Sequence, residues 1–252
     1  MRKEKVAFLK HNTLVLQVSG IFTLETASQR ISMGRGEMLL IQKNQLGELT
    51  KTPLEDEYYQ TIVISLKEDL LRQIALEEHI EVGQKYTGQP NILIPRNDYL
   101  QAFFQSVIPY VSHPEEKITH SMGMLKVKEA VYLLLNAMPQ LKDFLFDFSE
   151  PYKIDLERFM RSNFHYNVPI EKFALLTGRS LAGFKRDFQK TFDMAPRQWL
   201  QDTRLTEARY LIEKKNKKPS AIYLDLGFES LSHFSHSFKK KFGKMPSELN
   251  AI

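Results

Sequence analysis

PSAIYLDLGFESLSHFSHSFKKKFGKMP, residues 219–246, decides the fold because an earlier stretch repeats it. Sliding the chain by fifty positions pairs Ser180 with Ser230, Leu181 with Leu231, Phe184 with Phe234 and Phe188 with Phe238. Lys190 then meets Lys240, Phe192 meets Phe242 and Pro196 meets Pro246. One residue inserted upstream of Ser230 lets Gly178 meet Gly227, so the pairing is an internal duplication. In the later copy Ile222, Leu224 and Leu226 lead to Gly227, a residue that tolerates the positive φ of a helix stop, and Ser230 is placed to cap a new helix.

Working outward, Leu231, Phe234, Phe238 and Phe242 follow at helical spacing and predict one apolar stripe; Leu181, Phe184, Phe188 and Phe192 predict the same in the first copy. The opposite faces carry Ser232, His233, Ser235, His236, Lys239 and Lys240 in one copy, and Ala182, Gly183, Lys185, Arg186, Gln189 and Lys190 in the other. A short helix, a tight turn and a second helix with a basic outer face describe a helix-turn-helix, whose second helix enters the DNA major groove. Lys190, Lys239 and Lys240, with Lys241 beside them, are placed for phosphate contact.

GFESLSHFSHSFKKKFGKMPSE resembles the signature at the end of AraC-type bacterial transcriptional regulators, and LTGRSLAGFKRDFQKTFDMAPRQWL resembles the first unit of the same domain. The resemblance covers residues from about 156 to 249. It implies two helix-turn-helix units reading adjacent major grooves of double-stranded DNA, with RNA polymerase as a further partner. Carried over, the base-reading positions are Ala182, Lys185 and Arg186 in the first unit and Leu231, Ser232, His233 and His236 in the second. Phosphate positions are Ser180, Lys190, Ser230, Lys239 and Lys240. Ala182 and Gly183 are small where larger side chains are common in the family, and His236 stands where arginine is common, which touches sequence preference. LTGRSLAGFKRDF also looks like the AraC-type activators controlled by a partner protein instead of a sugar.

Charge agrees with this division. Residues 1–150 hold 16 Lys plus Arg against 19 Asp plus Glu, whereas residues 151–252 hold 19 against 11, so the basic excess sits with the duplication. The absence of cysteine excludes disulfides and thiolate metal sites, and fits a cytoplasmic protein. No apolar run approaches the ~20 residues of a membrane span, and residues 6–9 are too short for the apolar region of a signal peptide.

The chain of 252 residues predicts two domains, 1–145 and 153–252. Residues 12–66 read as short strands: Thr13, Val15 and Gln17 alternate with Leu14, Leu16 and Val18, and 21–25, 30–33, 38–41 and 58–66 follow. Short strands followed by helices suggest a small barrel or sandwich, and the expected fold class is α+β: a small β-barrel with following helices, then an all-α domain with two helix-turn-helix units joined by a linker helix. GRGEMLLIQ, residues 34–42, resembles the cupin-like barrel in front of many AraC-type domains. Helical periodicity appears in KEDLLRQIALEEH, in 98–111 and in 115–138; the last helix meets either a second subunit or its own barrel, and the resemblance favours a homodimer through this domain. Residues 139–153, PQLKDFLFDFSEPYK, are the expected junction, too apolar at Phe144, Leu145, Phe146 and Phe148 for a free linker.

No catalytic constellation is present: no G-x-S-x-G, no phosphate loop, no Cys/His pair. Cupin enzymes hold a metal with clustered histidines and a carboxylate, and the strand region offers only His11. His79, His113 and His120 read as surface or hydrogen-bonded histidines, and His233 with His236 lacks a third ligand nearby, so no metal and no cofactor is expected. The leading reading is a transcription regulator, an activator, controlled by a small ligand or partner protein. Its alternatives are a cupin-type metal-dependent enzyme fused to a DNA-binding domain and a protein-interaction scaffold.

Overall fold

Asn12 to Gln17 are buried without a break, so this strand is covered on both faces and the first unit is layered around it. The computed structural model describes residues 2–4, 9–54, 58–81, 85–112, 118–149 and 153–250, and the chain divides into two compact units, Met1–Glu150 and Pro151–Ile252. The first unit contains β1 (Arg2–Glu4), β2 (Asn12–Ser19), β3 (Ile21–Glu25), β4 (Arg30–Met33), β5 (Met38–Ile41), β6 (Glu48–Thr52), β7 (Gln60–Leu66) and β8 (Asn91–Ile94). Its helices are α1 (Glu68–Glu77), α2 (Asp98–Ser112), α3 (His120–Ala137) and α4 (Leu141–Leu145).

The strands form two four-stranded antiparallel sheets, ordered β1-β6-β3-β4 and β7-β2-β5-β8. The expected mixed α+β class is present, but the sheets do not close into a barrel. Side-chain direction alternates along a strand, so Val15, Leu39 and Ile41 meet Phe22, Leu24 and Met33 between the sheets. Leu14, Leu16, Met38, Leu40, Ile62 and Ile64 point the other way, onto α1, α2, α3 and α4. The polar groups buried in β2 are paired: Asn12 Oδ1 accepts from the Lys43 backbone N–H at 2.8 Å, and Gln17 Oε1 accepts from Thr61 Oγ1.

The stretch expected to be a junction contains α4, and Leu141, Phe144, Leu145 and Phe146 belong to the core of the first unit. The long helix begins at His120, capped by the Thr119 hydroxyl; residues 115–117 and His113 lie outside the described residues. Ala130, Val131 and Leu134 are buried in it, whereas Met122 and Leu125 are exposed. His11 is half-buried, and His79 and His120 are exposed. No helix among the described residues is long and apolar enough to cross a membrane.

The second unit contains α5 (Leu156–Asn163), α6 (Ile170–Leu176), α7 (Leu181–Phe192), α8 (Pro196–Lys215), α9 (Pro219–Ile222) and α10 (Leu231–Phe242), ending in a 3-10 turn, Pro246–Asn250. Asp155 caps α5 through its carboxylate, which accepts from the Arg158 N–H at 3.0 Å. Pro196 opens α8 in its first turn, where the missing N–H costs no bond. α9 is shorter than the expected helix: it stops at Ile222, and Leu224 is half exposed in the turn that leads to Gly227.

Candidate nucleic-acid interface

Two helices of the second unit are built alike. Ser180 Oγ accepts from the Gly183 N–H at 3.2 Å at the start of α7, and Ser230 Oγ accepts from the His233 N–H at 3.2 Å at the start of α10. Each cap satisfies a donor the helix leaves orphaned and is worth ~1 kcal/mol. Both helices run 12 residues and stop in the left-handed region, at Asp193 (φ 52°) and Gly243 (φ 77°).

The apolar stripes hold these helices in place. In α7, Phe188 and Phe192 pack on Trp199 of α8 with ring centroids 5.6 and 4.5 Å away. In α10, Phe234 sits 5.1 Å from Phe228, and Phe238 sits 4.6 Å from Phe242. The last phenylalanine of each stripe lies near an arginine, Arg161 beside Phe192 and Arg209 beside Phe242. Leu231 departs from the expected stripe, since it is 40% exposed.

With their inner faces fixed, the outer faces are free. Ala182, Lys185, Arg186 and Lys190 on α7 are exposed, and so are Leu231, Ser232, His233, His236, Lys239 and Lys240 on α10, together with the capping residues Ser180 and Ser230. Lys241 differs from its neighbours: its ammonium donates to the Asp202 carbonyl at 2.8 Å and to Thr206 Oγ1 at 3.2 Å, so it ties α10 to α8 instead of facing outward. Among the described residues there is no group of three or more His, Cys, Asp or Glu able to hold a metal, His233 and His236 included.

Sequence reasoning passed over two residues that brace α7. Arg179 donates through Nε to Asp187 Oδ2 at 3.1 Å and through Nη1 to the carbonyls of Ile154 and Thr177 at 3.0 and 2.7 Å. Asp187 is also approached by Lys153 at 3.4 Å and Arg186 at 3.5 Å. The hydrogen bond from Arg179, helped by Lys153, holds the Asp187 carboxyl below the usual carboxylate range. An arginine just after a glycine turn and an acid eight residues on were the available signals; both look like ordinary surface charges in a sequence.

Between the copies runs a groove of about 590 Å³, lined by residues 167–170, by Arg197, Leu200, Gln201 and Arg204 of α8, and by Gly227, Phe228, Glu229 and His233.

Residues 12–145 match the family described as "ExsA N-terminal regulatory domain", and residues 173–251 match "Helix-turn-helix domain". Over 93 residues the chain is 31% identical to the virulence regulon transcriptional activator VirF of Yersinia enterocolitica, covering 37% of this chain and 34% of that protein. Over 128 residues it is 27% identical to the HTH-type transcriptional regulator ExsA of Pseudomonas aeruginosa, covering 50% of this chain and 46% of that one. The chain therefore spans a third to a half of the length of these relatives. ToxT of Vibrio cholerae aligns over 98% of this chain and 92% of its own at 15% identity and a TM-score of 0.46. The regulatory-domain match covers more than half of the chain and the helix-turn-helix match takes in both α7 and α10, so the chain belongs to the AraC-type transcriptional regulators.

Proposed function

We propose that this chain is a sequence-specific activator that lays α7 and α10 in two successive major grooves on one face of double-stranded DNA. The observation that carries this reading is the pair of like-built, serine-capped helices with exposed outer faces, joined by one continuous helix. The 20 residues of α8 rise ~1.5 Å each, giving about 30 Å, close to the ~34 Å between equivalent points one DNA turn apart. The basic excess of residues 151–252 supplies the general attraction to a polyanion. The family match favours regulation over the cupin-type enzyme alternative.

In this reading Arg186 and Lys185 meet guanine, Ala182 and Leu231 offer apolar contact to thymine methyl groups, and Ser232, His233 and His236 reach polar base edges. Ser180, Lys190, Ser230, Lys239 and Lys240 hold phosphates. Selection of bound sequences from random DNA identifies the site, and substitutions then separate the roles. Arg186→Ala is expected to cost ~1–3 kcal/mol on the selected site and to relax preference at one base pair. Lys240→Ala is expected to weaken all sequences alike and lower the salt slope by about one unit. Equal losses for Arg186→Ala on selected and random DNA would refute its assignment.

The first unit receives the signal, from a small ligand or a partner protein, and forms a homodimer; RNA polymerase is the partner through which activation proceeds, in the cytoplasm. The dimer face in this reading is the outer side of α3, where Met122, Met124 and Leu125 are 43, 38 and 65% exposed. Leu125→Glu in the full chain is expected to shift the sedimentation coefficient from dimer to monomer. An unchanged dimer would place the interface elsewhere.

A further inference from the structure

Arg204 lies partway along α8 and is half-buried. Its guanidinium uses all three nitrogens. Nε donates to the Phe164 carbonyl at 2.8 Å and Nη2 to the Tyr166 carbonyl at 2.9 Å, both in the connection between α5 and α6 that leads into the first copy. Nη1 donates to the Gly227 carbonyl at 3.2 Å, in the glycine turn of the second copy. One planar group therefore ties the connection that leads into the first copy to the glycine turn of the second. A lysine ammonium, a single nitrogen on a flexible stem, does not replace three separate nitrogens that each reach a different carbonyl.

Two further observations show how closely the copies meet here. Asn167 Nδ2 donates to Glu229 Oε1 at 3.0 Å, a second link between the same two segments. A Cβ on Gly227 would come within 2.5 Å of the His165 carbonyl oxygen and 3.0 Å of Arg204 Cζ, so the turn backbone approaches the connection with no room for a side chain. Burial pulls the Arg204 guanidinium down to about 10, which still leaves it charged at neutrality, and hydrogen bonds from a charged donor are roughly twice as strong as neutral ones.

We propose that Arg204 is a positioning residue that fixes the distance and rotation between α7 and α10, and through them selects the spacing between the two DNA boxes that the protein reads. The inference rests on the DNA-reading function proposed above. One added base pair moves the second box by about 3.4 Å and turns it by about 35°. A stiff pair of readers rejects such a site; a hinged pair follows it.

The test uses the full chain and, starting from the selected site, duplexes whose spacer is shortened or lengthened by one base pair, together with a duplex carrying a single box. Wild type is expected to lose about tenfold or more in affinity for each spacing error, equivalent to about 1.4 kcal/mol. Arg204→Met is expected to bind the cognate spacing more weakly, to discriminate spacings by less than about threefold, and to bind the single-box duplex as wild type does. Arg204→Lys is expected to behave like Arg204→Met. A wild-type spacing profile in either variant, or a loss as large on one box as on two, overturns the proposal. If thermal melting shows these variants unfolded, Asn167→Ala, which removes only the second link, is expected to flatten the profile in the same direction, and an unaltered profile there overturns it instead. Wild type that binds no DNA sequence selectively would sink the regulator reading itself, an outcome distinct from selective binding with spacing untouched by Arg204.

Discussion

Phe238→Ala is expected to destabilise the second unit by about 3–5 kcal/mol, the range for removing a large buried ring whose neighbours relax only in part. Phe238 is fully buried among Leu205, Ala208 and Ile212 of α8, Ile222, Leu226 and Phe228 before α10, and Phe234 within it. Total stabilities of single domains run ~5–15 kcal/mol, so this one change removes a large part of the margin. Leu231→Ala is the control, since it sits on the same stripe in the sequence but is 40% exposed. It should cost under about 1 kcal/mol. Urea unfolding measures both, with two probes. The single tryptophan, Trp199, packs on Phe188 and Phe192 of the first copy, whereas circular dichroism reports every helix. Trp199 and the residues that cover Phe238 share one helix, so both probes are expected to shift together in Phe238→Ala. A cost no larger than that of Leu231→Ala would mean that the stripe is not what holds α10 in place.

What could be read beforehand followed from what repetition and periodicity reveal. A ring every third or fourth residue is visible in a sequence, and the duplicated phenylalanines located α7 and α10, their serine caps and their outward faces. β6 was missed because Glu48–Thr52 is half-buried at every position and carries no alternation to read. Short strands allow a barrel or a sandwich, and the structure has two separate sheets: strand count is legible, but the pairing that decides between them depends on contacts between segments far apart in the chain. α4 was hidden in a stretch read as a junction, and its apolar residues were the clue that it packs on the first unit. Charged residues were the least legible. Lys241 looks like Lys239 and Lys240 in the sequence, yet its ammonium is taken up by α8. Arg204 looks like any helical arginine until the three carbonyls around it are seen.

Gly227→Ala is expected to cost about 2–5 kcal/mol, and Gly243→Ala about 1, although the two glycines have nearly the same backbone conformation. Their φ angles are 82° and 77°, a region where an L side chain costs ~1–2 kcal/mol. The surroundings differ. A Cβ at Gly243 meets nothing within 4 Å, whereas at Gly227 it meets the His165 carbonyl oxygen at 2.5 Å. That oxygen belongs to the backbone and cannot rotate away, so the turn or the connection has to shift, adding the 1–3 kcal/mol typical of overpacking. Asp193 and Asn216 close their helices at φ 52° and 51° without glycine, which supports a small cost for conformation alone at a helix end. Chemical unfolding of the two variants therefore separates crowding from backbone strain, and equal costs would remove the crowding argument. The crowded atoms include Arg204 Cζ, so Gly227→Ala and Arg204→Met disturb the same contact. In a double-variant cycle their costs should sum to more than the pair together, by about 0.5 kcal/mol or more, because the first substitution has already loosened what the second would break.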